Sequence, residues 1–196
     1  MNIESEPKLA PPGAGVPLLE KLVVRLYLLP FVCRKTPLDE MEQGFNKLTD
    51  KILNLIEPLS SEQLKTRILV PPMQGIEDSS RYWSVSMVLD HLCIVGRSIS
   101  HGITQLSLKK IPEKKADIAA VKPKIGLDEQ SIILDFKKFC REEYPAIKNI
   151  VQNADLNYKF SHPWFGPMNA KQWYWLMTGH HSVHLKQIKA ILKSLS

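Results

Sequence analysis

The chain has 196 residues, of which 44% are hydrophobic and 23% charged, and its formal net charge is +6 at pH 7. This length fits one domain with a sizeable core, and the composition argues against wholesale disorder and against an integral membrane protein. The basic excess does not form a stripe of arginine and lysine with interleaved aromatic residues, so nucleic acid is not an expected partner.

The N-terminal stretch is rich in proline and glycine and has no apolar core of the kind found in secretory signals. Residues 1–17 are predicted to form a flexible arm, or a strap that lies ordered on the domain. Residues 18–196 are predicted to form the single domain, with its core over residues 37–195.

The next segment is apolar, but Glu20, Lys21 and Arg25 interrupt it and Pro30 lies near its end. No run is therefore long enough to span a bilayer, and membrane insertion is not expected. Packing along a helical bundle or at a homodimer interface is favoured over lying on a membrane surface. The residues that need such a cover are Leu18, Leu22, Val23, Leu26, Leu29 and Phe31.

Two strong helices are predicted in the first half of the domain. The first begins at Thr36-Pro37, where a capping threonine is followed by a proline suited to the first helical position. The second runs from Ser84, a plausible N-cap, to about Leu106. The apolar seam of the first alternates by three and four residues: Leu38, Met41, Phe45, Leu48, Ile52, Leu55 and Leu59.

Two more helices are predicted in the second half. The third runs from about Asp128 to Ile150, and Pro145 should kink or interrupt it. The fourth opens at Asn169, with Gln172 three residues later as in a capping box, and continues toward Leu195. The third helix is expected to bury Ile133, Phe136, Cys140, Ile147 and Ile150.

No segment alternates with period two, so the predicted fold class is all-α. The architecture is a four-helix bundle with long crossover loops and an extra N-terminal helical segment. The connections over 60–83, 107–127 and 152–168 are longer than antiparallel neighbours need, and are expected to build a pocket over one end.

The three cysteines, Cys33, Cys93 and Cys140, are odd in number and have no CxxC spacing. No disulfide framework is implied, which fits a reducing cytoplasm, and each cysteine is interpreted as a small buried apolar residue. Among charged residues, Glu77 and Asp78 are candidate proton-transfer groups, although surface solvation is the favoured interpretation. The loop lysines are likewise expected to be solvated, with capture of an anionic ligand as the alternative: Lys109, Lys110, Lys114, Lys115, Lys122 and Lys124.

The histidines carry the strongest functional signal. His180 and His184 lie one helical turn apart, close enough for both imidazoles to reach one ion. Such a pair alone also occurs on surfaces or as two separately hydrogen-bonded core residues. A third imidazole, His91, shares a stripe of the second helix with Val88 and Val95, and is expected to point toward the interior. The pair itself lies in an inward seam of the fourth helix: Trp173, Met177, His180, His184, Gln187 and Ile191.

Three converging imidazoles would hold Zn²⁺ or a similar divalent ion and leave one coordination position open, which is a catalytic pattern. Zinc or nickel is favoured, and iron and manganese are alternatives because spacing does not choose among them. Gln187 is a candidate catalytic residue that would hydrogen-bond solvent or substrate at the metal, with bracing of the bundle as the alternative. His181 is rotated away and is assigned to the surface or to a supporting position.

Three motifs together resemble the DinB/YfiT-like superfamily of metal-binding four-helix bundles. They are Trp83-Ser84 with Leu89-Asp90-His91-Leu92, the loop His162-Pro163-Trp164-Phe165-Gly166-Pro167, and His180 followed by His184-Leu185-Lys186-Gln187-Ile188. The resemblance covers about Pro37 to Leu195. It implies that His91, His180 and His184 are the metal ligands, and that Gln187 matches a glutamine often found after the last ligand.

The same resemblance implies a range of activities, because the superfamily includes thiol-dependent transferases and isomerases and proteins assigned as metal-dependent hydrolases. The leading hypothesis is a cytoplasmic metalloenzyme that activates a small thiol or water for attack on a small-molecule substrate. The alternative is a non-catalytic binding or stress-response protein whose metal is structural.

Overall fold

The computed structural model describes residues 6–112 and 116–195. Most of these residues are helical, which confirms the predicted helical class, and the remainder includes two short antiparallel ribbons. The helices are α1 (Leu18–Val23, continued by π-helical turns over Val24–Cys33), α2 (Leu38–Ile56), α3 (Ser61–Lys65), α4 (Val85–Ser107), α5 (Glu129–Lys138, continued by π-helical turns over Phe139–Glu143), α6 (Tyr144–Gln152) and α7 (Ala170–Leu195). The ribbons pair β1 (Ile68–Leu69) with β2 (Tyr82–Trp83), and β3 (Phe160–His162) with β4 (Gly166–Met168).

The two longest helices, α4 and α7, pack against each other, and α2, α5 and α6 surround them. Both begin where local capping predicts. The Ser84 hydroxyl accepts a hydrogen bond from the Met87 N–H at 3.2 Å, and Asn169 and Gln172 exchange two bonds of 3.0 Å. Because side chains follow fixed turns from these starts, capping determines which residues of α4 and α7 face each other.

The start of α2 and part of its seam differ from the prediction. The Thr36 hydroxyl donates to the Val32 carbonyl at 2.9 Å, and Pro37 takes the N-cap position without a side-chain bond. Met41, Phe45 and Ile52 are buried as expected, but Thr49 and Ile56 are buried where Leu48 and Leu55 were expected, and those leucines are half-buried. A helix of 3.6 residues per turn drifts against a strict alternation of three and four, which moves the buried face by one residue.

The predicted third helix is interrupted near Pro145, as expected. The proline lies in the first turn of α6, and the preceding turns over Phe139–Glu143 are π-helical. Ile133 and Ile150 are only half-buried; the wider turns shift the register of the helix face that follows them, which contains Ile150. The buried residues are Ile132, Phe136, Phe139, Cys140, Tyr144, Ile147 and Val151.

The N-terminal residues before α1 are bonded to the segment that follows β1. The Ala10 N–H donates to Asp78 at 2.7 Å, and the N–H groups of Gly13 and Gly15 donate to one oxygen of Glu77 at 2.6 and 2.9 Å. These contacts are those of an ordered strap rather than a flexible arm, over the described residues 6–17. The first five residues of the predicted arm lie outside the described residues.

One face of the α1 segment stays exposed. Leu29 and Cys33 are buried and Val24, Leu28 and Val32 are half-buried, but the remaining apolar side chains of the segment are exposed. Within residues 6–112 and 116–195, no helix has the length and apolarity required to cross a bilayer. The exposed side chains are Leu18, Leu19, Leu22, Val23, Leu26, Tyr27 and Phe31.

All three cysteines are buried and free, as predicted. Burial raises the pKa of the Cys33 thiol to about 11 and that of Cys140 to about 12, and it raises the pKa of Cys93 further. These thiols are therefore protonated at neutral pH and serve as core residues rather than nucleophiles.

The close approach of α4 to the π-helical turns gives a stability prediction. A Cβ atom at Gly96 would lie 2.1 Å from Cζ of Phe139, a ring that is fully buried. We expect Gly96→Ala to lower the free energy of unfolding by about 1–3 kcal/mol, because α4 or the ring must move. Gly102, on the same helix, is the control: its nearest neighbour would be 4.0 Å away, so Gly102→Ala should stabilise by about 0.5–1 kcal/mol. Urea denaturation of both variants checks this, and equal effects would contradict it.

Candidate metal centre

Three histidines from α4 and α7 converge where the two helices pack. The Nε2 atom of His180 lies 3.2 Å from Nε2 of His91 and 3.1 Å from Nε2 of His184. One ligand atom from each of the three residues falls within 4.8 Å of the others. The structure therefore brings together the three side chains that the sequence singled out.

Neighbouring groups fix the tautomer of two of these rings. Nδ1 of His91 lies 2.7 Å from the Val121 carbonyl, which can only accept, so His91 donates from Nδ1. Nδ1 of His184 lies 2.7 Å from Oε1 of Gln187. The Gln187 amide is oriented by its Nε2, which donates to the Ser80 carbonyl at 2.7 Å, so Oε1 must accept from His184. Both Nε2 atoms are thus left with lone pairs.

The Nε2 lone pairs of His91 and His184 both face Nε2 of His180. The three nitrogen atoms therefore have too few protons to form a complete set of hydrogen bonds. A proton on Nε2 of His180 would serve one good hydrogen bond at most, whereas buried polar atoms normally all have partners. Two nitrogens bound to one tetrahedral ion at about 2.0–2.1 Å are roughly 3.3–3.4 Å apart. The observed separations of 3.1 and 3.2 Å are close to this value. The cluster therefore fits a divalent metal ion.

Burial keeps the three imidazoles in the form that binds a metal. His91 and His184 are buried, and His180 is half-buried. Burial lowers the pKa of His184 to about 4 and lowers the pKa values of His91 and His180 well below the ordinary value. All three rings are consequently neutral at physiological pH, as metal ligation requires.

A tryptophan forms one wall of the cluster. The Trp83 ring lies 4.9 Å from the His91 ring, and it stacks on His184 with centroids 6.0 Å apart and planes 9° from parallel. Trp83 is 4% exposed and begins the motif that precedes α4. Its indole limits the rotation of two ligand rings, which keeps their Nε2 atoms directed at a common point.

The segment that supports His91 is held by a buried ion pair. Nζ of Lys122 lies 3.0 Å from Glu77 and donates to the hydroxyls of Ser79 and Ser80 at 2.6 and 2.7 Å. The favoured interpretation of Glu77 and Lys122 as solvated groups is therefore wrong. They lie 45 residues apart, and nothing local in the sequence pairs them. Glu77 also accepts from the strap, so its carboxylate has no free position for proton transfer.

The direct catalytic role predicted for Gln187 is not what its contacts show. The side chain is fully buried, and its two polar atoms bond His184 and the Ser80 carbonyl. Gln187 is a positioning residue that fixes the orientation of His184. The signal for this role was its spacing of three residues from His184 on one helix face.

His181 lies in the core, so its assignment to the surface was wrong. It is 1% exposed, and its ring stacks on Phe136 with its Nε2 3.7 Å from Sγ of Cys140. Nδ1 of His181 lies 3.2 Å from the Met177 carbonyl. Burial lowers the pKa of this ring to about 3, which makes it a neutral core residue on another side of α7.

His162, the last residue of β3, has a structural role at the turn that leads to β4. Its Nδ1 accepts from the Trp164 N–H at 3.0 Å, and its ring stacks on Phe165 with centroids 4.4 Å apart. Burial lowers the pKa of His162 to about 4. The ring therefore stabilises the turn and lies outside the triad.

An open cavity of about 1520 Å³ reaches the cluster. Both His91 and His180 line it, so two of the three clustered histidines face its interior. Its walls come from the α1 segment, α4, α7 and the β3–β4 turn, together with the connection that follows α4. The long connections expected to build a pocket over one end contribute to its wall, but the cavity lies along α4. Comparisons with known protein families, with curated proteins and with solved structures gave no match.

Proposed function

We propose that the protein is a metal-dependent enzyme built on a four-helix bundle of the DinB-like type. In this proposal His91, His180 and His184 hold one divalent ion, and the enzyme activates a small thiol or water for attack on a small-molecule substrate. Zinc and nickel are the leading candidates for the metal, ahead of iron and manganese. The three free cysteines agree with a reducing cytoplasm, which is the proposed location.

The observation that supports this proposal is the convergence of three Nε2 atoms with two tautomers already fixed. The Val121 carbonyl and the Gln187 amide each take the opposite nitrogen of a ring, which presents a lone pair to the centre. This is the arrangement in which metal-ligating histidines are usually held. If hydrogen bonds alone held the three rings together, each acceptor nitrogen would face its own donor. Here two acceptor nitrogens, those of His91 and His184, face the single Nε2 atom of His180.

Residues of the chain orient the three histidine rings, keep them uncharged and leave them open to the cavity. Trp83 and Gln187 hold the ligand rings in place, and burial keeps the rings uncharged. A divalent ion held by neutral ligands supplies Lewis acidity, which lowers the pKa of a thiol or of water. The thiol sulfur or water oxygen, having lost its proton, would bond to the electrophilic carbon as the leaving group departs with its electron pair.

Catalysis is favoured over a structural metal because the cluster lies at the wall of a large cavity. Structural sites are usually closed by four protein ligands, whereas catalytic sites keep one position for solvent or substrate. Among the described residues, only three histidines form such a cluster, and two of them line the cavity. A non-catalytic metal-binding protein remains the second candidate, and the assay below separates the two.

The assay uses protein purified without a nickel column and reloaded with zinc, nickel, iron or manganese. Low-molecular-weight thiols are offered with a fluorogenic electrophile, and ester and amide substrates are tested in parallel. We expect a rate above the metal-free background that rises in proportion to metal occupancy. His184→Ala should remove this rate, whereas Glu62→Gln, which changes an exposed residue outside the cavity, should keep it. A fourth protein ligand in X-ray absorption, with no response to thiols or substrates, would instead support the structural metal.

The role of Gln187 gives a graded prediction. Gln187→Leu leaves Nδ1–H of His184 without its acceptor, so we expect metal affinity to fall by about 10–100-fold. Gln187→Glu keeps an acceptor for His184 while losing the donor to Ser80, so its loss should be smaller. Competition titrations with a chelator measure both affinities. If leucine and glutamate behave alike, Gln187 does not act through His184.

A further inference from the structure

The cavity follows α4 away from the metal centre. Its floor is one stripe of that helix, whose members recur every three or four residues. His91 and Gly102 are eleven residues apart on this stripe, which corresponds to about 16 Å of helix at about 1.5 Å per residue. The stripe consists of His91, Val95, Ser98, Ile99, Gly102 and Gln105. The cavity is therefore elongated, with the histidines toward one end.

The walls above this floor are largely apolar. The β3–β4 turn and the start of α7 contribute aromatic rings, and the α1 segment contributes aliphatic side chains. Pockets for drug-sized ligands measure about 300–1,000 Å³, so a cavity of about 1520 Å³ takes a longer molecule. The main apolar residues of the walls are Val24, Leu28, Phe160, Trp164, Phe165 and Trp175.

Three of the four charged side chains that line the cavity take part in hydrogen bonds or an ion pair, and the fourth, Lys110, is exposed in the connection that follows α4. Glu20 accepts from the Gly75 N–H at 2.9 Å, Asp117 accepts from the Ala119 N–H at 2.8 Å, and Lys122 is paired with Glu77. Such a lining offers little to a peptide, whose backbone needs many hydrogen-bonding partners. It suits an apolar chain with one polar end.

We propose that the substrate is a single long-chain amphipathic molecule. Its polar, reacting end lies at His180, and its apolar chain extends along α4 past Gly102. This inference rests on the proposed function only for the reaction; the binding of the apolar chain depends on the cavity alone. Gly102 is the position at which the chain length can be tested, because it has no side chain and lies on the floor eleven residues from His91.

The experiment titrates 1-alkanols from butanol to dodecanol into the protein by calorimetry. Burial of each added methylene is worth about a fourfold gain in affinity, so affinity should rise steadily with chain length. Gly102→Phe should stop this rise at a shorter alcohol while leaving the shortest alcohols unaffected. Gly102→Ala is the matched control and should follow the parent. Gly102→Leu and Gln105→Trp repeat the test should Gly102→Phe fail to fold.

The same titrations are run on His184→Ala, which separates the two proposals. If this variant binds no metal but keeps the chain-length dependence, the cavity proposal stands regardless of the metal. An affinity that does not depend on chain length, or an unchanged profile in Gly102→Phe, would overturn it. So would alcohol binding that only dissociates a dimer in sedimentation, because a second copy of the chain would then be the occupant.

Discussion

Alanine at His91, His180 or His184 will reduce binding of the divalent ion to background. Each substitution removes one of three neutral ligands, and the remaining two leave the ion without a complete site. Loss of a group that only supports a ligand costs about 10–100-fold in affinity, so loss of a ligand should exceed about 100-fold. Metal stoichiometry after dialysis against a weak chelator measures this directly.

The matched control for these variants is His101→Ala. His101 lines the same cavity and lies on the same helix as His91, but it is exposed and outside the cluster. It should therefore retain one ion per chain. Undiminished stoichiometry in all three triad variants would rule out the site, and a loss in His101→Ala would show that the site extends beyond three residues.

The parts of this site that could be predicted are those encoded by local spacing. His180 and His184 are one turn apart, and Ser84 and Asn169 fix where α4 and α7 begin. From these starts, helical geometry alone determines that the pair and His91 lie on inward faces. The clustering of the three histidines thus followed from periodicity and capping, without knowledge of the connections.

The support of the ligands could not be predicted, because it depends on residues distant in sequence. The Val121 carbonyl that orients His91 lies within the long connection after α4, where its neighbour Lys122 is held by Glu77 and Ser80. Nearby, the Lys124 N–H donates to Asp90 at 3.0 Å, which attaches the same segment to α4. Contacts of this kind form only once the chain has folded, and no local pattern encodes them.

His181 shows a different limit of periodicity. A single seam predicts one buried face, but α7 packs against α2, α4 and α6 and is therefore buried on more than one side. The face that carries His181 is covered by Phe45 and Phe136. Histidine counts as a polar residue in a sequence pattern, but burial lowers the pKa of His181 to about 3, so its neutral ring packs as a core side chain.

Glu77→Gln is expected to destabilise the protein more than any other charge substitution outside the metal centre. The carboxylate is 3% exposed and joins the strap to Lys122. Glutamine has one acceptor oxygen, so its amide N–H groups must face either the strap N–H groups of Gly13 and Gly15 or the donors Lys122 and Ser79. Breaking a fully buried ion pair costs about 3–5 kcal/mol. Because Lys122 is 19% exposed, we expect about 2–3 kcal/mol here.

The pH dependence of the stability lost in Glu77→Gln shows whether the negative charge of Glu77 is responsible for it. Burial by itself raises the pKa of Glu77, but hydrogen bonds from Gly15, Ser79 and Lys122 outweigh it and hold the pKa below its ordinary value of 4.5. A carboxylate with a lowered pKa stabilises the fold above that ordinary value, and the stabilisation is lost as the pH falls below it. The difference between parent and Glu77→Gln should thus be largest above about pH 5 and shrink in acid. Glu62→Gln, at an exposed pair with Lys65, should change little at any pH. A difference that does not vary with pH would show that Glu77 acts by packing rather than by its charge.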